Sequence, residues 1–185
     1  TGLMVRQANR TVCTAGNIGP NAVCELDRLL EEGKLPDFWV LELSSFQLAT
    51  TTSLDCDAAA FLNLTQDHVD WHGSMAEYEA AKRRIFSEKT VRLTKDSGLT
   101  WLSEIPYVKE TANRRRSLLL SPDPEQKRLL MPTSSLKIRG QHNAMNALAA
   151  IALTEAVGIP LSAALETLTT FAGEPHRVEF VLKTA

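Results

Sequence analysis

The sequence predicts an α/β fold: a mostly parallel sheet flanked by helices, with a small antiparallel β region. Three observations point there. Short β-prone runs at Thr11–Thr14, Phe38–Leu43 and Ala58–Leu64 are separated by a helix-like segment and by turns, the alternation of a doubly wound sheet. The Phe38–Leu43 run is apolar on both faces, as a buried parallel strand should be. The second and third runs each end on polar groups, Glu42 in one case and Asp67, His68, Asp70 and His72 in the other. If these two strands are neighbours, their C-terminal ends bring Glu42 and the cluster together, at the edge where open α/β sheets bind ligands.

The bulk numbers suit one globular domain. There are 185 residues, 44% of them hydrophobic, enough for a sizeable core. A net charge of -2 and a pI near 6.1 argue against a nucleic-acid or anionic-membrane footprint. Three cysteines, Cys13, Cys24 and Cys56, without C-x-x-C spacing point away from a disulfide framework or zinc knuckle and toward the reducing cytoplasm. No apolar run approaches the ~20 residues of a membrane helix. The opening T-G-L-M-V-R-Q-A lacks an initiator Met, so the chain is expected to be a fragment.

Taken in order, residues 1–9 read as the end of a helix and Thr11–Thr14 as a short strand. A glycine-dense turn follows, Ala15-Gly16-Asn17-Ile18-Gly19-Pro20, able to bring backbone close to a ligand. Asn21–Leu30 is helical, with Val23, Leu26, Leu29 and Leu30 as its apolar stripe and Gly33 at its end. Ser44 and Ser45 can cap a turn, S-F-Q-L. Ser74 and Glu77 form an S-x-x-E capping box for a helix that carries Met75, Tyr78, Ile85 and Phe86 on one side. Lys82 falls on that same side and Arg84 opposite. Residues 87–139 say least: Leu99–Leu102, Leu129–Met131 and Leu136–Ile138 read as short antiparallel strands, Ser121–Pro124 as a loop and Arg114-Arg115-Arg116 as a solvated run. A clear helix spans Ala144–Val157, with Asn143 as N-cap, Gly158 after its end and Pro160 as its stop. Ser162 caps a last helix closing at Gly173. Glu174-Pro175-His176-Arg177 is a rigid turn, and Val178, Phe180 and Leu182 alternate as a strand.

Several residues could carry chemistry. Glu42, at a strand end, either holds a hard cation such as Mg²⁺ or caps the Ser-Ser turn. The D-H-V-D-W-H cluster is either a metal site or a polar loop. Lys82, on an inward stripe, either reaches a ligand or packs its stem while the amine snorkels to water. Asn17, Asn143, Asn146, His176 and Arg177 lie at turns and helix starts, where nucleotides and carboxylates are held.

Five motifs in fixed order resemble those of the Mur ligases, the ATP-dependent amino-acid-adding enzymes of peptidoglycan precursor synthesis. They are G-N-I-G (Gly16–Gly19), E-L-S-S-F-Q-L (Glu42–Leu48), the long block L-N-L-T-Q-D-H-V-D-W-H-G-S-M-x-x-Y-x-x-A-K (Leu62–Lys82), G-Q-H-N-x-x-N-A-L-A-A (Gly140–Ala150) and F-x-G-E-P-H-R-V-E (Phe171–Glu179). Together they span most of the chain. S-S-F-Q-L and G-x-P-H-R resemble the branch that adds D-glutamate to UDP-N-acetylmuramoyl-L-alanine. The diaminopimelate-adding branch typically reads E-V-S-S-H instead.

The resemblance implies a P-loop-like central domain over residues 1–180, with 181–185 opening the connection to a C-terminal domain. It implies two Mg²⁺ ions: one on Glu42, bridging the β- and γ-phosphates of ATP, and one on His68 with Lys82, whose amine the family carbamylates with CO₂. It implies that Asn17, Ser44 and Gln47 contact the UDP-sugar substrate near its L-alanine carboxylate, and that Asn143, Asn146, His176 and Arg177 line the ATP base and ribose. Glu42, His68 and Lys82 would be the catalytic set. The implied reaction passes through an acyl phosphate that the D-glutamate amine attacks, and the implied enzyme is a cytoplasmic monomer.

The chain departs from the family pattern in places. It holds no G-x-x-x-x-G-K-[ST] segment, the phosphate cradle of such enzymes, and its Phe86–Leu99 connection is short for the family. The 185 residues are therefore expected to be catalytically silent alone. The competing expectations are another ATP-dependent amino-acid ligase, such as the diaminopimelate-adding enzyme or a folylpolyglutamate synthetase; a metal-dependent hydrolase using Asp67, His68, Asp70 and His72; and a binding domain that keeps only the scaffold.

Overall fold

The computed structural model of the protein describes residues 1–94, 117–120, 128–138 and 140–173. The helix α1 (Gly2–Gln7) leads into β1 (Val12–Gly16), which pairs in parallel with β2 (Phe38–Glu42) from Val12↔Phe38 to Gly16↔Glu42. The connecting helix α2 (Ala22–Glu31) is capped by Asn21, whose side chain accepts from the N–H groups of Val23 at 3.0 Å and Cys24 at 3.2 Å.

The two strands are clasped where they begin. The Asp37 carboxylate accepts from the Thr11 N–H at 2.9 Å, the Thr11 hydroxyl at 2.8 Å and Arg10 at 3.1 Å. The Thr11 hydroxyl oxygen in turn accepts from the Asp37 N–H at 2.8 Å. The Thr11 bonds, and then Arg10, hold the Asp37 carboxyl below its ordinary range, because each favours the charged form.

The run S-F-Q-L is the first part of a helix, α3 (Ser45–Thr50), rather than a turn. Strand β3 (Ala58–Phe61) ends three residues earlier than its apolar run suggests, and pairs in parallel with β4 (Val91–Thr94). After β3 come α4 (Val69–His72) and α5 (Met75–Arg83). The antiparallel part of the fold is the pair β5 (Ser117–Leu120) and β6 (Arg128–Pro132). The chain closes, among the described residues, with α6 (Gln141–Ala156) and α7 (Leu161–Thr170).

The core sits around α6, which packs against β3, β4, β5 and α7. Ala144, Met145, Ala147, Leu148, Ala149, Ile151 and Ala152 are all buried, with Met4, Met131, Leu136, Ala164 and Leu168 completing the cluster. Alanine on several sides lets neighbours approach the helix closely, and the methionines fill the irregular gaps. A smaller cluster, Val5, Ile159 and Ala163 against Val12 and Phe38, seats α1 on α7 and β1.

Several expectations need correction. Strands β2 and β3 are not neighbours: each pairs with a different strand. Residues Phe38–Leu41 are half-buried rather than deeply buried, since β1 is the partner found for β2 among the described residues. Leu136–Ile138 is no strand; a single 3₁₀ turn, Thr133–Ser135, precedes it, and Leu136 plugs the core. Helix α6 begins three residues before Ala144, with Gly140 (φ +101°) at its N-cap, so Asn143 lies inside the first turn. Pro160, not Ser162, precedes α7, which ends at Thr170. Helix α5 stops at Arg83, leaving Ile85 and Phe86 beyond it. Arg84 is exposed and donates to the Ala49 carbonyl near the end of α3. Val23, Leu26 and Leu30 of α2 are exposed. Leu99–Leu102, Arg114–Arg116, Ser121–Pro124, Glu174–Arg177 and the strand expected over 178–182 lie outside the described residues.

Candidate active site

The end of β2 is built by close backbone approach. Gly16 has φ +124°, and a Cβ there would run into the Glu42 carbonyl oxygen and lie 3.1 Å from its carbonyl carbon. Next to it, the Asn17 N–H donates to the Glu42 carbonyl at 2.6 Å. The G-N pair is thereby stitched to the strand end, and Glu42 is exposed with no hydrogen bond or ion pair to its carboxylate among the described residues.

The turn after Glu42 satisfies itself. Ser44 Oγ accepts from the Gln47 N–H at 3.2 Å, while Gln47 Oε1 accepts from the Ser44 N–H at 2.9 Å and the Ser44 hydroxyl at 3.0 Å. This is a complete capping box. The cap makes no use of Glu42, so the reading of Glu42 as a turn cap falls away. The Gln47 side-chain nitrogen takes no part in the box.

Glu42 instead faces a cavity of about 1300 Å³, whose lining includes Arg6, Thr14, Asn143, Asn146 and Phe171. From α6 the lining takes His142, Asn143, Asn146, Ala147 and Ala150, the last four being the i, i+3, i+4, i+7 face of one helix. Strand end and helix face thus meet across one space. Arg6 and Thr14 are additions that no sequence signal marked, apart from the outward phase of Thr14 in β1. His176 and Arg177 lie outside the described residues.

The second half of the site follows β3. His68 sits in the left-handed region, φ 53°, uncommon for a residue with a side chain and a mark of local constraint. Asp67 holds it there: Oδ1 accepts the His68 N–H at 2.9 Å, and Oδ2 lies 3.3 Å from His68 Nε2. His72, one turn on, is hydrogen-bonded through Nε2 to Ser45 Oγ at 3.0 Å. Lys82 is half-buried with its amine 5.1 Å over the Tyr78 ring, a cation–π contact rather than a free snorkel. Among the described residues no three His, Cys, Asp or Glu side chains gather on one point. The ligand set that a hydrolase would need from Asp67, His68, Asp70 and His72 is therefore not assembled.

Comparison with known proteins is decisive about the family. The model of the Mur ligase middle domain matches residues 2–154. The chain belongs to the Mur ligase middle-domain family. Its curated relatives include proteins named UDP-N-acetylmuramoylalanine--D-glutamate ligase from Ralstonia nicotianae, 43% identical over 97% of this chain and 44% of that protein, and from Burkholderia ambifaria, 40% identical over 98% and 45%. One from Paraburkholderia phymatum is 39% identical over 98% and 44%. This Mur ligase segment thus spans less than half the length of the relatives it matches. The Ralstonia alignment runs over 220 positions against 185 residues here, so that relative carries positions this middle domain lacks. No helix among the described residues is long and apolar enough to cross a membrane.

Proposed function

We propose that this chain is the nucleotide- and metal-binding middle segment of an ATP-dependent ligase that joins D-glutamate to UDP-N-acetylmuramoyl-L-alanine through an acyl phosphate. The observation that carries the reading is the cavity at which β2 presents an unengaged Glu42 carboxylate to Asn143 and Asn146 of α6. The printed names of relatives at 39–43% identity support the D-glutamate branch. Free thiols at Cys13, Cys24 and Cys56 are in keeping with a cytoplasmic enzyme, which we take to act as a monomer.

The residues fit the groups the family implies. Glu42 offers a hard oxygen donor open to the cavity, the ligand type Mg²⁺ prefers. Lys82, as an ammonium, cannot bind a cation; its carbamate would supply carboxylate-like oxygens beside the His68 imidazole. When bound, two Mg²⁺ ions would neutralise phosphate charge. This chain's part is then to hold and orient. Asn143 and Asn146, with His176 and Arg177, grip the base and ribose of ATP. Ser44 and Gln47 are bonded to one another, so what remains for the L-alanine carboxylate is the Gln47 amide nitrogen and the Asn17 side chain. Fixing the reacting groups in this way is a large part of what such an enzyme contributes.

The test is to exchange this chain for the matching segment of the Ralstonia protein and measure phosphate release. D-glutamate-dependent release is the expected result. Release driven instead by diaminopimelate, or by a folate with L-glutamate, would move the chain to another ligase branch. A folded chimera that releases no phosphate with any of these would overturn the reading.

A further inference from the structure

Glu42 and His68 follow strands that do not pair with each other, so the sheet does not set their separation. What links them is a side-chain frame. Ser45, three residues after Glu42 and only 2% exposed, hydrogen-bonds His72 Nε2 at 3.0 Å, and the His72 N–H donates to the His68 carbonyl at 3.0 Å. Phe46 lies against the same group. Its ring stacks on His72 (5.6 Å, 20°), tilts on His68 (4.8 Å) and meets Trp71 edge-on (5.0 Å). From α5, Tyr78 backs His72 at 5.1 Å and His68 at 6.0 Å while carrying the Lys82 amine on its face.

We propose that His72 is a positioning residue: through its hydrogen bond to Ser45 it holds the His68–Lys82 position at a fixed place relative to Glu42. The proposal rests on the function proposed above. An imidazole is suited to the task because one ring both accepts stacking and carries a directional hydrogen bond, and the bond at Ser45 is sheltered from water. His72 is not among the residues that would hold either cation, so its effect on them would run only through geometry.

The experiment is Mn²⁺ binding to the full 185-residue chain in bicarbonate buffer, with free Mn²⁺ read by electron paramagnetic resonance and the fold checked by circular dichroism. His72→Phe keeps a stacking ring and removes the hydrogen bond; His72→Gln can restore a polar partner for Ser45; Ser45→Ala removes the other end. Supporting parts of a metal site are worth about 10–100-fold in metal affinity. We expect His72→Phe and Ser45→Ala each to weaken the His68-dependent Mn²⁺ affinity about tenfold. The double variant should be no weaker than either, and His72→Gln should recover most of the loss. Folded His72→Phe protein that binds Mn²⁺ as tightly as the unsubstituted chain would overturn the positioning role and leave the proposed function standing. An unsubstituted chain whose Mn²⁺ binding is unaffected by Glu42→Gln and His68→Ala would overturn both.

Discussion

Replacing Gly16 by alanine tests whether the closeness of the two backbones is what holds Glu42 in place. The new methyl group meets the Glu42 carbonyl, and it meets backbone, which cannot rotate away as a long side chain would. The residue must also keep φ +124°, far from where alanine is at ease. Holding such a conformation costs about 1–3 kcal/mol, and forcing packed neighbours apart costs about 1–3 kcal/mol more. Taking the middle of both ranges gives about 4 kcal/mol, or a fall in Tm of about 10 °C for a chain of this size. Gly33→Ala is the control: it too sits at positive φ (+63°), but nothing lies within 4 Å of its added Cβ. That substitution carries only the left-handed strain of about 1–2 kcal/mol, a fall in Tm of about 2–8 °C. Thermal unfolding by circular dichroism measures both, and Mn²⁺ titration should show weakened binding in Gly16→Ala alone. Equal losses of Tm in the two variants would refute the reasoning, because the contact with Glu42 would then be costing nothing.

Other outcomes follow from the packing and charges. Leu148→Ala, at a fully buried position of α6, should cost about 2–5 kcal/mol, read from the shift of a urea midpoint. Asp37→Ala should destabilise the chain at neutral pH, and the gap to the unsubstituted protein should close in acid. The Asp37 carboxyl is held low, so its contribution is present above the ordinary carboxylate range and disappears as pH falls through the folded value; paired pH-dependent denaturation curves measure this. Glu42→Gln, made in the Ralstonia chimera, should leave Tm unchanged, since that carboxylate has no partner among the described residues. It should slow phosphate release by roughly a hundredfold, the scale of losing about 3 kcal/mol of metal-borne charge stabilisation.

Much of the fold could be read from local signals. The caps at Ser44 and Ser74 are legible because Ser competes well for the free N–H groups of a first turn, and both accept them here. Strand pairing was not legible. The apolar runs at Phe38 and Ala58 announce two strands, but hydrophobicity carries no address for the partner, and each strand pairs elsewhere. The start of α6 was misplaced for a related reason. Asparagine is the better cap by propensity, yet the chain turns into the helix at Gly140, where φ +101° suits glycine alone. Lys82 was placed on the inward stripe by its four-residue spacing from Tyr78, and its amine does lie on the Tyr78 ring.

The candidate site divides along the same line. Where a candidate face belongs to one element, the sequence can show it: Asn143, Asn146, Ala147 and Ala150 share the cavity face of α6, and their i, i+3, i+4, i+7 spacing needs no tertiary knowledge. In a helix otherwise packed with buried Ala, Leu, Ile and Met, two asparagines stand out on the face that lines the cavity. Where the face is shared between elements, the sequence is silent. Ser45 and His72 stand 27 residues apart, each with an ordinary local reading, one as a first-turn serine and the other as a loop histidine. Their bond exists because α5 packs against both α3, which carries Ser45, and α4, which ends at His72, and no periodicity encodes that. The residues that touch a ligand can thus be visible one by one while those that hold them in register stay hidden until the chain is folded. The distance between Glu42 and His68 is therefore a property of packing around Phe46, Tyr78 and His72, and substitutions in that packing should act on metal affinity without touching a ligand.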